Sequence, residues 1–441
     1  MRSKLKELLP DFFCWGLCFY NLFSPVIPQP ILYLIVMWFA IKRLSKEAMI
    51  FCCLMFLRDI NHAMFFLSFH IPMMSYLTVL IGLFMIWSFL KENGKDIFVK
   101  GKYLWLIMVY MLLSMIISGN IEVNMKKFTE MFVIGTLTYI SYVYIFYKRN
   151  KIDFFRLAVY CTIFALFLLQ LNVAANHYAA PSSPIDFGFY RLNVGTDMYA
   201  DLANTGILYA THYQFFGEVC TIGFTLCMAF KRMSLGQVII LLFFNIISIG
   251  YTGARQYLII MFVLFAIYIL LMKGNVFGKV LIIIGGIAVV SYIMFQSVMS
   301  EYVNIISDNG LLEGSGRAGL FETGVQLFAS NPLTGVGFGG YNYYGRYDAY
   351  PHNIIVELLA EVGVIGFAFV LSCVFFNKKG FILLYCPKKR FIGMYIVLAF
   401  FMRSMISLSL TGNIMVFSIL SAMTYFSYLS NKENRMKNIS I

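Results

Sequence analysis

The sequence predicts an all-α polytopic membrane protein, and three features point to that class. Of its 441 residues, 60% are hydrophobic and only 12% are charged, about half the charged fraction of an ordinary soluble domain. Apolar runs recur from end to end, and each helical crossing of a bilayer needs about 20 residues. The charges gather in short connections between these runs. This distribution excludes a disordered chain, a coiled coil and a soluble enzyme.

About fourteen transmembrane helices are predicted when the apolar runs are taken in chain order. The first seven lie at 11–24, 29–41, 48–69, 73–90, 103–118, 129–147 and 154–175. The other seven lie at 213–230, 236–250, 256–272, 279–297, 353–376, 391–410 and 413–430. The first two are divided at Pro25, Pro28 and Pro30, because proline interrupts a helix. No cleavage site follows the basic start of the chain, so the first helix is expected to be retained.

The positions of the charges predict the orientation of the chain. With a cytoplasmic amino terminus, most of the 34 lysine and arginine residues face the cytoplasm, as the positive-inside rule requires. Both termini are then cytoplasmic, and residues 1–441 form a single integral membrane domain. The net charge of +13 is therefore a topology signal, and the lipid bilayer rather than nucleic acid is the expected partner. The nine cysteines show no disulfide framework.

Two longer segments, 176–212 and 298–352, are predicted to lie outside the cytoplasm. Long loops in a compact helical protein usually carry function. Both segments are net acidic, so their few cations stand out, and these are Arg191, Arg317 and Arg346. In the second segment, Arg317 ends a predicted flexible turn at 314–317. A short amphipathic helix that contains Leu320, Val325, Leu327 and Phe328 is predicted to follow and to end at Asn331-Pro332.

His352 is the strongest candidate for a catalytic residue. An imidazole takes up a proton near neutral pH, and His352 is placed at the start of a helix, where the helix dipole disfavours the charged form. The alternative is a histidine chosen as an interfacial cap, and Asn353 is also a candidate cap. Glu357 and Glu361 share a helix face with Asn353, so both are expected to line the bundle interior.

The glycine-dense loop formally matches G-x-G-x-x-G through Gly335, Gly337 and Gly340. That fingerprint requires a preceding strand and a helix directly after it, so the match is discounted. Two interpretations stay open for this loop, including Gly337 and Gly339: backbone amides that bind a phosphate, or a tight turn, which is the commoner case.

Other charged residues have two interpretations each. Arg255 lies in a short outer connection, where it binds either an anionic ligand or lipid headgroups, and the same choice applies to Arg191. Arg58 and Asp59 fall inside an apolar run, where charge at membrane depth is functional or internally paired. Arg403 is expected to snorkel to the interface.

The sequence from 314 to 366 resembles the O-antigen ligase and O-antigen polymerase superfamily of bacterial inner membranes. The resemblance rests on Arg317, an "NPLTGVGFG" segment at 331–339, His352-Asn353, and "EVGVIG" at 361–366. A second match is "TGAR" at 252–255, where Ala254 replaces the serine of the family pattern. These motifs cover about 60 residues, and the many-helix layout agrees over the full length.

The resemblance implies a metal-independent, inverting glycosyl transfer outside the inner membrane, with no cofactor. The donor and acceptor would be glycans linked to undecaprenyl diphosphate. His352 would be the general base, Arg255 and Arg317 the principal contacts to the diphosphate, and Arg191 a weaker one. No D-x-D motif lies in an outer loop, which agrees with a reaction that needs no metal. A chain-length regulator and a flippase are further expected partners.

An O-antigen polymerase is the favoured activity, because polymerases are the more divergent group and the signatures here are degenerate. An O-antigen ligase, which moves polymer onto the lipid A core, and a capsule or exopolysaccharide polymerase use the same residues. From another class, a lipid-linked sugar flippase would hold its site near the midplane, often between internal repeats. The distinctive residues here lie in outer loops instead, and no repeat is evident.

Overall fold

The described part of the chain is helical throughout. A computed structural model describes residues 2–69, 74–119, 121–179, 213–231, 233–250, 255–271, 277–288, 291–292, 317–344, 350–377, 392–405 and 410–439, with no strand among them. The first nine helices are α1 (Arg2–Phe23), α2 (Gln29–Arg43), α3 (Lys46–Cys52), α4 (Arg58–Phe69), α5 (Met74–Met85), α6 (Trp87–Lys100), α7 (Lys102–Ser114), α8 (Ile121–Lys148) and α9 (Phe154–Ala179). The other nine are α10 (Tyr213–Phe230), α11 (Leu235–Gly250), α12 (Arg255–Leu271), α13 (Phe277–Ala288), α14 (Arg317–Ser330), α15 (Gly340–Tyr344), α16 (Ile354–Phe376), α17 (Ile392–Ser404) and α18 (Leu410–Ile439).

Several of these helices are suited to a bilayer. Within the described residues, five segments are long and apolar enough to cross a membrane: Lys46–Phe65, Asn124–Lys151, Phe154–Leu171, Ile354–Phe376 and Gly412–Lys432. The pair α5 and α6, bent by 81°, makes a sixth if it counts as one crossing, and shorter apolar helices accompany them. The chain is therefore a multi-pass membrane protein, and the count of fourteen crossings stays a prediction.

One predicted span and the loop after it are wrong. The segment 73–90 is not a single helix, because α5 and α6 meet at an angle of 81°. Most of residues 91–102, which connect the predicted spans 73–90 and 103–118, is helical. The polar side chains of α6 contact tyrosines of α18. The hydroxyl of Tyr428 donates to Asp96 at 3.0 Å, and Lys100 Nζ lies 4.7 Å from the centre of the Tyr428 ring. These contacts stabilise the charged segment as a helix.

The two predicted outer loops are only partly described. In the first, residues 176–179 extend α9 to Ala179, and residues 180–212 lie outside the described residues, with Arg191 among them. In the second, residues 298–316 and 345–349, which include Arg346, also lie outside them. The rest of this second loop contains α14 and α15.

The chain forms two compact units. The first comprises Met1–Ile86 and Lys148–Ile305, and the second comprises Trp87–Tyr147 and Ile306–Ile441. In the first unit, α9 packs against α1 and α10, and 94% of its span Phe154–Leu171 is buried. In the second unit, α18 packs against α16 and α17, and 94% of its span is buried. Each unit is thus organised around one almost fully enclosed helix.

A buried carboxylate holds helices of the first unit together. The side chain of Asp11 is fully buried, and it accepts from Arg43 Nε at 2.9 Å and from Arg156 Nε at 3.3 Å. The hydroxyl of Tyr160 donates to the same carboxylate at 3.2 Å. Asp11 therefore links α1 to α2 and α9. Arg156 has a second partner in Glu7, at 2.7 Å, whose side chain is 61% exposed.

The intramembrane charges Arg58 and Asp59 pair with one another. Arg58 Nε lies 3.1 Å from Asp59 Oδ2, and both side chains are largely buried. They follow a single π-helical turn, Cys53–Leu57, that joins α3 to α4. The interpretation of an internal ion pair is confirmed for these two residues.

Substituting Asp11 tests this arrangement. We expect Asp11→Ala to destabilise the protein by about 3 to 5 kcal/mol, because two arginines would lose a buried partner. Thermal unfolding of the purified protein in detergent measures the change. Glu7→Ala is the matched control, since it removes an exposed partner of Arg156 and is expected to have a much smaller effect. Equal effects of the two substitutions would contradict the importance of the buried carboxylate.

Candidate active site

Two segments of the motif region, 331–337 and 360–365, pair through their backbones. Helix α16 is broken at Gly363, and segment 331–337 lies against this break. Val336 N donates to Ala360 O at 2.9 Å, just before the break. After it, Val364 N donates to Pro332 O at 2.9 Å, and Ile365 N donates to Leu333 O at 3.1 Å. The backbone groups that the break releases are therefore satisfied by the "NPLTGVG" segment, as an apolar environment requires.

Glycine is required at two points of this pairing. Gly335 and Gly363 have φ angles of 65° and 62°, in the left-handed region that favours glycine. A Cβ at Gly335 would lie 2.4 Å from the Glu361 carbonyl carbon, and one at Gly363 would lie 2.4 Å from the Leu333 carbonyl carbon. Both glycines thus permit two backbones to approach closely.

Gly337 and Gly339 form tight turns, the commoner of their two interpretations. Their φ angles are 85° and 82°. A Cβ at Gly337 would lie 2.6 Å from Ser118 N, and one at Gly339 would lie 2.2 Å from Asn124 Oδ1. The amide of Asn124 also donates to the Ser118 hydroxyl. The loop is therefore packed tightly onto the end of α7 and the start of α8.

The start of α16 is fixed by the predicted cap. Asn353 Oδ1 accepts from Ile355 N at 3.0 Å and from Val356 N at 3.2 Å, so this prediction is confirmed. Its Nδ2 donates to Met405 O at 3.3 Å, which ties the cap to the end of α17. These bonds fix both the first turn of α16 and the residue before it.

His352 adopts an unusual backbone conformation. Its φ is 54°, the one positive φ of a non-glycine residue in the described part of the chain. Histidine, asparagine and aspartate enter this region more often than other such residues. Its imidazole is half-buried, and the ring centre lies 4.4 Å from that of Tyr350. Asn353 performs the capping, so His352 is not the cap.

Beneath this turn lies a buried ionic cluster of three side chains. Lys127 Nζ lies 3.0 Å from Glu357 Oε1 and 2.6 Å from Glu361 Oε1, and both glutamates are fully buried. The expectation that they line the interior is confirmed. The prediction did not include Lys127, because the sequence placed the start of its helix at 129, whereas α8 begins at Ile121. Two buried carboxylates one turn apart were the signal that a cation lies nearby.

The other predicted cations have different positions. Arg317 is the first residue of α14, and this helix packs on the His352 segment. A Cβ at Gly324 of α14 would lie 2.6 Å from Val356 and 3.5 Å from Pro351. Arg255 is the first residue of α12, in the first unit. Arg191 lies outside the described residues, so its role stays a prediction.

The sequence predicts that Arg403 snorkels to the membrane interface, but in the structure its side chain is buried. It is only 3% exposed, and its guanidinium lies 3.5 Å from Met415 Sδ and over the Phe400 ring. The prediction is wrong because α17 packs this face against α18 rather than against lipid.

Three features of the predicted site belong to the second unit. The second unit holds a half-buried imidazole, a helix that begins at Arg317 and a rigid glycine loop. Among the described residues, no group of three histidine, cysteine, aspartate or glutamate side chains is placed to hold a metal.

Adding one methyl group at Gly335 tests the close approach of the two backbones. We expect Gly335→Ala to destabilise the protein by at least about 1 to 3 kcal/mol, because alanine is strained at this φ and its Cβ would overlap α16. Thermal unfolding in detergent measures the effect. In the control Gly319→Ala, the new Cβ meets no atom within 4 Å, so stability should be unchanged or slightly higher. An unchanged stability of Gly335→Ala would contradict the pairing.

The chain was compared with known protein families and proteins. A family model described as O-antigen ligase matches residues 238–371. The matched range contains Arg255, Arg317, both halves of the paired motif and His352, whereas Arg191 and Lys127 lie outside it. No curated protein matches the chain. Over residues 238–371, which are 134 of the 441, the chain is therefore similar to the O-antigen ligase family.

Proposed function

We propose that this protein is an O-antigen polymerase of the bacterial inner membrane, with both termini in the cytoplasm. It joins oligosaccharide repeat units, carried on undecaprenyl diphosphate, on the periplasmic face. The superfamily consists of glycosyltransferase-like enzymes that act on polysaccharides, which supports the reaction class. The degenerate signature at Ala254 favours a polymerase over a ligase.

The observation that carries the proposal is the conformation of His352. A non-glycine residue with positive φ is uncommon, and such residues cluster at active sites when the surrounding structure holds them in place. Here the Asn353 cap fixes the following turn, and α14 packs against Pro351 before it. The residue is half-buried, and an unperturbed imidazole has a pKa near neutral pH.

In the proposed reaction, His352 takes the proton of an acceptor sugar hydroxyl as this oxygen attacks the anomeric carbon of the donor. The new glycosidic C–O bond forms on the face opposite the diphosphate, and the old C–O bond breaks with inversion. The bonding electron pair leaves with undecaprenyl diphosphate. No metal ion and no cofactor is needed for these steps.

Arginines stabilise the leaving diphosphate in this proposal. Charge-assisted and often bidentate contacts suit a phosphate group that gains negative charge. We assign this role to Arg317 and Arg255, each at the first position of a helix, and a weaker role to Arg191. Asn353, Glu357, Glu361, Gly337 and Gly339 support the site by fixing the loop and the helix that flank His352. A flippase and a chain-length regulator are the proposed protein partners.

Substituting His352 tests the proposed base. We expect His352→Asn to abolish the polysaccharide ladder of the host strain when it replaces the wild-type gene, because asparagine tolerates the positive φ but is no base. His352→Gly, which relieves the backbone strain, is expected to fail as well. Gel profiling of surface polysaccharide measures the ladder, and immunoblotting of membranes confirms equal protein levels.

The same profiles distinguish the two activities of the superfamily. Loss of the ladder with one repeat unit still attached to the lipid core indicates a polymerase. Lipid cores without any repeat unit, together with polymer that remains on undecaprenyl diphosphate, would indicate a ligase. A full ladder in both His352 variants would show that His352 is not the base.

A further inference from the structure

We propose that Lys127 is a positioning residue for His352, an inference that rests on the proposed function. Lys127 lies outside the 238–371 match and belongs to α8. Its ammonium bonds to the helix that follows His352 and to the loop that precedes it. The structure thereby assigns a role in transfer to a residue that does not touch the reacting atoms.

The geometry at Lys127 uses the whole ammonium group. Nζ donates to Glu361 Oε1 at 2.6 Å, to Glu357 Oε1 at 3.0 Å and to Asn342 Oδ1 at 3.2 Å. A lysine ammonium has three donors, so each has an acceptor. It also lies 5.2 Å from the centre of the Phe338 ring. The two glutamates belong to α16, Asn342 belongs to α15, and Phe338 belongs to the glycine loop before α15.

These contacts fix the relative placement of the two segments that flank His352. Glu357 lies in the first turn of α16, which Asn353 caps. Asn342 lies in α15, which follows the glycine turns. Because one ammonium bonds to both, a shift of the loop against α16 stretches at least one charge-assisted hydrogen bond. Lys127 therefore fixes α15 against the start of α16, the helix that follows His352.

The burial of the cluster makes this restraint strong. Both glutamate side chains are fully buried, and that of Lys127 is 10% exposed. Removing one partner from such a cluster leaves buried charge uncompensated, whereas replacing the whole cluster with uncharged side chains is often neutral for stability. These two cases separate the folding role of the cluster from its positioning role.

The test is steady-state kinetics of purified protein in nanodiscs, with undecaprenyl-diphosphate-linked repeat units extracted from the host strain lacking this gene. Lys127→Met is expected to lose both stability and rate. The triple variant Lys127→Met/Glu357→Gln/Glu361→Gln carries no buried charge in the cluster and is expected to stay folded. Its kcat should fall by about 100-fold, the scale of a misplacement of about 1 Å, while KM changes by less than about twofold.

Two further variants complete the experiment. Asn342→Ala keeps both ion pairs and removes the contact to the loop, so its kcat should fall by a smaller factor. Lys126→Met is the control, because Lys126 is exposed on the same helix, and its kcat should equal that of wild type. A wild-type kcat in the triple variant overturns the proposal, as does a loss that appears in KM alone.

His352→Asn in the same assay separates this proposal from the proposed function. If His352→Asn loses activity and the triple variant does not, the positioning role alone is wrong. If His352→Asn keeps the wild-type kcat, His352 is not the base, and no positioning role toward it remains.

Discussion

The break of α16 at Gly363 is the feature on which the rest of the second unit depends. A helix that crosses a bilayer cannot leave backbone groups without partners, so a break is tolerated only where another segment supplies them. Segment 331–337 does so through bonds to Ala360, Val364 and Ile365. Because these bonds are directional, they place the glycine loop at one position along α16.

The position of His352 follows from this pairing. The glycine loop is fixed by its bonds to the break in α16. The start of α16 is fixed by the Asn353 cap. Helix α14 packs against α15, since the hydroxyl of Tyr341 in α15 donates to Leu320 O in α14 at 2.6 Å. A positive φ at a histidine costs on the order of 1 kcal/mol or more, and these contacts on both sides maintain it. The preorganised backbone supports a role in catalysis rather than in capping.

Signals from neighbouring residues predict much of this region. Contacts between residues that are distant in the sequence could not be predicted. Asn331-Pro332 ends α14 and Asn353 caps α16 because both effects depend on neighbouring residues alone. The break at Gly363 lies within an apolar run, and only its contact with Leu333 reveals it. Lys127 and Lys126 look alike in the sequence, yet the side chain of Lys127 is only 10% exposed, whereas Lys126 is exposed. The connection between the predicted spans 73–90 and 103–118 is helical in the structure, and its side chains contact α18, which the sequence also did not reveal.

In the proposed reaction, the paired motif holds His352 where an acceptor hydroxyl binds. A cryo-electron microscopy structure in nanodiscs, with a lipid-linked repeat unit bound, tests it most directly. We expect α16 to be broken at Gly363 and paired with segment 331–337, and an imidazole nitrogen of His352 to lie about 3 Å from a sugar hydroxyl. A continuous α16, or a repeat unit bound away from His352, would contradict the account.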